Sequence, residues 1–443
     1  MPSITNKLIF LAVIILLLTA LVYSKEIKDK ALAGLAYVKE APILQYPPAP
    51  NVLKENSSSG GKENPLLMRE VEEIINSLEP EEMVGQLLVV GFNGKEPDYY
   101  ISRMINLRHI GGVILFTRNI ENPLQVARLT NQLQNMAQTN GDLPLFIAVD
   151  QEGGEVNRFK TGLTAFPAPF ELGRLASPRA AELAARDVAE ELKATGINVN
   201  LAPVIDVASE KSLMARRSYG NDPQQVALLG AAAVAGAKKG GVIPCVKHFP
   251  GLGRILVDPH EKPAEIKADF ATLYQNDWLP FRQAIKENVE MIMVSHARYP
   301  ALDARNPASL SFFIQTVILR EMLGYQGLII TDDLEMGAVN KENSTGQLAV
   351  RAVKAGADLL LICHTPEKQK EAYDALLAAV RRGEIDEQRL KESLRRIIAL
   401  KLKYKLKESS QVDLTRVTAR VNTHAHRQDA AKIRTAITNF ISD

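Results

Sequence analysis

Eight short apolar runs punctuate the middle of the chain, at 87–92 (LLVVGF), 111–116 (GGVILF), 145–150 (LFIAVD), 197–203 (INVNLAP), 243–248 (IPCVKH), 291–296 (MIMVSH), 328–332 (LIITD) and 358–363 (DLLLIC). They are continuous rather than alternating. That is the pattern of strands buried on both faces, as in parallel sheets. Between them lie amphipathic stretches that read as helices, at 177–193, 222–238, 273–286, 347–355 and 366–381. Eight such β units with helical crossovers, in about 340 residues, predict an α/β fold of the (β/α)8 TIM-barrel type. A doubly wound open sheet is the competing arrangement.

The chain of 443 residues is 46% apolar and 23% charged, with a net charge of +2. Nothing in that balance supports a nucleic-acid partner. Cys245 and Cys363 each close an apolar run and have no metal or redox spacing, so they read as buried free thiols and exclude a disulfide framework. At the N-terminus, an uninterrupted apolar run at 8–23 follows a short head carrying Lys7. This predicts a signal peptide or membrane anchor over 1–24, with Val22 and Ser24 as the small residues before a cleavage point. Export to the cell envelope, tethered or secreted, is the expectation. Residues 25–66 hold Tyr46-Pro47-Pro48-Ala49-Pro50 and Ser57-Ser58-Ser59-Gly60-Gly61, a spacer with no core of its own. The barrel is expected over 67–406. It would close with a helix at 386–406 whose packing stripe is Leu390, Leu394, Ile397 and Ile398. A helical extension, 407–443, would follow, and the protein is expected to be a monomer.

Reactive residues of such a barrel sit where the strands end. The third run ends in Asp150, the fifth in Lys247-His248, the sixth in Ser295-His296 and the seventh in Thr331-Asp332-Asp333. Arg216-Arg217-Ser218-Tyr219-Gly220 follows the fourth. Charged groups where buried strands stop are costly unless they face a pocket. After the fifth run a Gly-rich loop carries Asp258-Pro259-His260. An Asp two residues before a His can fix the imidazole tautomer and raise its basicity, which suits proton transfer. His248, His260 and His296 have no short-range ligand spacing among themselves, so neither metal nor cofactor is expected.

Four segments together resemble the family 3 glycoside hydrolases, and within them the β-N-acetylglucosaminidases of cell-wall turnover. They are Asp150-Gln151-Glu152-Gly153-Gly154-Glu155-Val156-Asn157-Arg158, Arg217-Ser218-Tyr219-Gly220, Lys247-His248-Phe249-Pro250-Gly251-Leu252-Gly253 with its Asp258-Pro259-His260, and Thr331-Asp332-Asp333-Leu334-Glu335-Met336-Gly337-Ala338. The resemblance covers roughly 68–405. It implies a retaining exo-β-N-acetylglucosaminidase acting on peptidoglycan-derived fragments. Asp332 would be the nucleophile, His260 the general acid/base and Asp258 its partner. Asp150, Arg158, Arg217, Lys247 and His248 would hold the sugar. Asp333 is expected to be a structural hydrogen-bonding group. A β-glucosidase or β-xylosidase on the same barrel, or a non-catalytic sugar-binding envelope protein, are the alternatives. Retaining glycosidases normally use two carboxylates; here an imidazole, which titrates near ~6.5 when unperturbed, would replace one.

The chain departs from the family pattern inside the loop. Leu252 and Arg254 stand where the family has polar residues, Pro259 lies inside the Asp-x-His, and Glu155 replaces a usual Arg. Pro259 should stiffen the loop. Arg254 is expected to meet an acidic substituent of the substrate, such as a muramyl lactyl group. The stretch 415–437 resembles the connector to a second domain in larger relatives, so the chain reads as one catalytic domain with a residual connector.

Overall fold

The computed structural model describes residues 65–256, 264–340 and 343–442. The N-terminal apolar run and nearly all of the spacer lie outside them, as do Asp258, Pro259 and His260. Among the described residues no helix is long and apolar enough to cross a membrane.

Each of the eight apolar runs contains a strand: β1 (Leu88–Val90), β2 (Gly112–Leu115), β3 (Phe146–Val149), β4 (Val199–Asn200), β5 (Ile243–Phe249), β6 (Met291–Val294), β7 (Leu328–Asp333) and β8 (Leu359–Ile362). All pair in parallel with their sequence neighbours, and β1 pairs with β8 in the register Val89↔Leu361. The sheet is therefore a closed barrel and not an open doubly wound sheet. Closure explains the continuous apolar runs, since one face meets the barrel interior and the other meets the helices.

The surrounding helices are α1 (Pro65–Ser77), α2 (Tyr99–Arg108), α3 (Pro123–Thr139), α4 (Pro178–Ala194), α5 (Pro223–Gly240), α6 (Leu279–Lys286), α7 (Thr345–Ala355), α8 (Pro366–Arg381), α9 (Glu387–Lys403) and α10 (His424–Ser442), with a π-helical crossover at Phe313–Met322 between β6 and β7 and shorter helical segments elsewhere. Their starts are written locally. Asn122, Ser177 and Ser344 accept from the backbone N–H three residues on, and Asp222 from that of Gln224, two residues on. A proline opens α3, α4, α5 and α8, where its missing N–H costs nothing. The helices α4 and α5 cross very closely, because a Cβ on Gly236 would stand 2.1 Å from the Glu182 carbonyl oxygen.

Two expectations need correction in detail. The stretch 273–286 is not one helix: a π-helical segment at Leu273–Asp277 breaks at Trp278 and α6 begins beyond it, with Pro280 in its first turn. Of the run 197–203 only Val199–Asn200 forms regular strand, although the Leu201 N–H still donates to the Val149 carbonyl and the Ala202 and Pro203 carbonyls accept from Cys245 and Lys247. Both cysteines are buried and free.

Candidate active site

The polar ends of β3, β5 and β7 meet at one mouth of the barrel. Asp150, directly after β3, opens a small hairpin of Gln151–Gly153 against Val156–Asn157. Its turn needs Gly153 at φ 89° and Gly154 at φ 64°, where side chains are disfavoured. The hairpin returns the chain so that Arg158 Nη2 donates to Asp150 Oδ2 at 2.9 Å. Gln151 holds that return, accepting the backbone N–H groups of Arg158 and Phe159 on its Oε1.

Lys247, on β5 and 2% exposed, reaches across the mouth. Its Nζ donates to Asp150 Oδ1 at 2.8 Å and lies 2.6 Å from Glu152 Oε1. Glu152 in turn takes Arg217 in a fork, Nε to Oε2 at 2.9 Å and Nη2 to Oε1 at 2.8 Å. Burial pushes the Asp150 carboxyl up, but the Lys247 ammonium and Arg158 guanidinium outweigh it and hold it well below the usual range. Glu152 is lowered in the same way, against burial, by Lys247 and Arg217. Burial pulls Lys247 down, yet its two carboxylate partners keep it above its ordinary value. The cluster is a chain of compensated charges, which is the condition for keeping them out of water.

His248 is fixed from behind. Its Nδ1 lies 2.8 Å from Asp206 Oδ2, and its backbone N–H donates to Asp206 Oδ1 at 3.2 Å. Asp206 is fully buried and also accepts the Leu252 N–H at 2.6 Å. With Nδ1–H spent on Asp206, the ring presents Nε2 as its other nitrogen.

Asp332 is half-buried at the end of β7. Burial raises its pKa, and His248, His296, the Asp333 N–H and Lys247 more than reverse this, so the carboxyl is held below the usual range. His296 is itself oriented, with Nε2 donating to the Asp333 carbonyl at 2.9 Å and Nδ1 2.6 Å from Ser309 Oγ. Asp333 differs from its neighbour. Its Oδ1 accepts the Glu335 and Cys363 N–H groups, and burial together with the Glu335 charge pushes its carboxyl up to about 7. Adjacent aspartates thus have opposite characters, one kept ionised and one tied to the backbone. On the β2 side Phe116 forms a wall, with Arg158 5.1 Å and Arg118 4.5 Å from its ring centroid.

The structure therefore gathers Asp150, Arg158, Arg217, Lys247, His248 and Asp332 at one mouth. Sequence reading passes over Glu152, Asp206 and the orienting role of His296. Glu152 could have been found as a second carboxylate in the same hairpin, and Asp206 as a lone charge within the apolar stretch 204–207.

The loop bearing Asp258 and His260 is described only at its ends. On the near side Leu252 is buried and Arg254 grips Asp277 with Nε at 3.0 Å and Nη2 at 3.0 Å. On the far side the backbone of Arg298 pairs with Ala264 and Ile266. Leu252 thus packs into the core, and Arg254, itself 42% exposed, pairs with a fully buried carboxylate. Arg254 has a partner within the fold, Asp277. Glu155 has likewise found Arg216, at 2.9 Å.

The model of the glycosyl hydrolase family 3 N-terminal domain matches residues 80–400. The chain is 36% identical over 370 residues to "Beta-hexosaminidase A" of Pseudoalteromonas piscicida, covering 77% of this chain and 61% of that protein. Among solved structures, a glycoside hydrolase family 3 β-N-acetylglucosaminidase from Paenibacillus sp. str. FPU-7 is similar with a TM-score of 0.79 at 38% identity, over 81% of this chain and 69% of that one. NagZ from Neisseria gonorrhoeae, in complex with N-trifluoroacetyl-D-glucosamine, is similar with a TM-score of 0.66 at 29% identity, over 79% and 98% of the two chains.

Proposed function

Because this chain belongs to glycosyl hydrolase family 3, we infer that it is a retaining exo-β-N-acetylglucosaminidase that removes terminal N-acetylglucosamine from peptidoglycan-derived fragments. The observation that carries this reading is Asp332, an ionised carboxylate at the end of β7 facing His248, His296 and Lys247. In the first step an Asp332 oxygen bonds to the anomeric carbon as the glycosidic C–O bond breaks, and His260 gives its proton to the leaving oxygen. In the second step His260 takes a proton from water, whose oxygen attacks the same carbon and frees Asp332. Asp258 orients His260 and stabilises its charged form. Asp150, Arg158, Arg217, Lys247 and His248 supply donors and acceptors for the sugar hydroxyls. Arg158 Nε, buried and unpartnered among the described residues, supports that role. Export through the segment 1–24 would place the enzyme where cell-wall glycans are available.

The test compares hydrolysis of chromogenic β-N-acetylglucosaminide, β-glucoside and β-xyloside. A clear preference for the first supports the reading, and preference for either of the others replaces it. No hydrolysis of any, with sugar binding retained, would make the protein a binding module. Trapping with a fluorinated N-acetylglucosamine analogue should label Asp332, and a label elsewhere would overturn its role.

A further inference from the structure

On the outer face of the barrel α10 rests against α4. Three groups converge at that seam: Asp187 and Glu190, three residues apart on one face of α4, and His426 in the first turn of α10. One ligand atom from each lies within 4.8 Å of the other two. We propose that Asp187, Glu190 and His426 form a binding site for a divalent transition-metal ion of the zinc class, which fastens α10 to the barrel.

Three observations carry the site. First, His426 is arranged as a metal-ligating histidine is. Its Nδ1 lies 2.8 Å from Glu191 Oε1. Glu191 is fully buried and already accepts the Thr164 N–H, the Thr164 hydroxyl and the Asn422 N–H, so it is an acceptor and the imidazole nitrogen is the donor. A carboxylate behind a histidine fixes the tautomer and leaves the other nitrogen as the ligand. Second, that other nitrogen, Nε2, stands 3.3 Å from Glu190 Oε2. In a tetrahedral site with bonds of about 2.0–2.1 Å, neighbouring ligands are roughly 3.3–3.4 Å apart. Third, Asp187 is fully buried, and only its Oδ1 is used, by Arg186 Nε at 3.0 Å and Nη2 at 2.7 Å. Its Oδ2 is buried and takes no hydrogen bond among the described residues. An unpaired buried carboxylate oxygen beside an imidazole is costly, and a cation removes the cost. Glu190 is partly exposed, so a water can complete the coordination. One imidazole and two carboxylates suit zinc better than magnesium or calcium, which take oxygen ligands alone.

The rival occupant is a proton: an imidazolium bridging Glu190 and Glu191 would satisfy part of the same geometry. Full-length chelator-treated protein is titrated with Zn2+ at neutral pH by calorimetry, and its thermal unfolding is followed with and without Zn2+, Mg2+ and Ca2+. One Zn2+ should bind per chain and raise the melting temperature, with no effect of Mg2+ or Ca2+. Co2+ should give the intense visible absorption of a tetrahedral site. Glu190→Gln, at a partly exposed position that keeps its shape, and His426→Gln should each weaken Zn2+ binding at least tenfold. Absence of Zn2+ binding, or binding that survives in both variants, overturns the proposal and leaves the proton as occupant.

Discussion

Asp206 holds His248 by side chain and backbone at once, with one oxygen 2.8 Å from the ring Nδ1 and the other accepting the His248 N–H. A residue absent from the reactive mouth thereby decides which imidazole nitrogen reaches it. Asp206→Asn can offer Nδ1 a donor in place of an acceptor and so reverse the tautomer. We expect kcat to fall on the order of 10²-fold with the fold retained, as for other small losses of alignment. Steady-state kinetics beside a circular-dichroism melt checks this; unchanged kcat would remove Asp206 from the positioning role.

Glu152 is the shared partner of Lys247 and Arg217. Glu152→Gln leaves three cations, Arg158, Lys247 and Arg217, with one carboxylate, Asp150. Breaking a buried pair in this way costs about 3–5 kcal/mol. Asp150 and Glu152 have folded pKa values below their unfolded ones. As pH falls below about 4, the unfolded chain takes up protons that the folded chain refuses, so stability is lost on acidification. Melting temperature measured against pH should therefore drop less steeply in Glu152→Gln than in the parent. Parallel curves would mean that the pair contributes nothing to acid sensitivity.

Lys401 lies at the opposite mouth of the barrel. It is buried on α9, donates to Gln86 Oε1 at 2.7 Å and to the Gly111 carbonyl at 3.1 Å, and sits 4.9 Å from the Phe146 ring centroid. Burial pushes its pKa down to about 7. Between that value and its ordinary one the unfolded chain binds one more proton than the folded chain, so stability should rise with pH from about 7 to about 10.5. Lys401→Met should flatten that rise. Denaturant midpoints across the interval provide the measurement, and an unaltered slope would refute the assignment.

Asp277 has no exposure, and Arg254 supplies its ion pair. Arg254→Ala leaves the carboxylate buried and unpaired, at a cost of about 1–3 kcal/mol. Replacing both, as Arg254→Leu with Asp277→Leu, should recover part of the loss, because no buried carboxylate is then left without its partner. Chemical unfolding of the single and double variants tests this. If the two losses simply add, the residues are not coupled.

Much of the architecture is legible in the chain because burial on both faces leaves a plain mark. Runs such as 291–296 and 358–363 are too apolar and too short for anything but interior strands. Helix starts are legible where Ser177 and Asp222 stand before the first turn, whereas the helix capped by Ser344 starts two residues before the expected 347. The break at Trp278 is not legible, since the amphipathic period continues through it. Within the site, residues that end strands are visible by position alone. Asp206 and His296 act through partners distant in sequence, His248 and Ser309 among them, and such pairings are written in the fold rather than in local spacing.

The charges at the catalytic mouth run in one unbroken series, Arg158 to Asp150 to Lys247 to Glu152 to Arg217. Each member stabilises the ionised form of the next, so altering one changes the electrostatic environment of all. Reshaping the proposed sugar pocket one side chain at a time would disturb charge together with shape. Altered specificity is more readily reached by exchanging oppositely charged neighbours in pairs, or at uncharged walls such as Phe116.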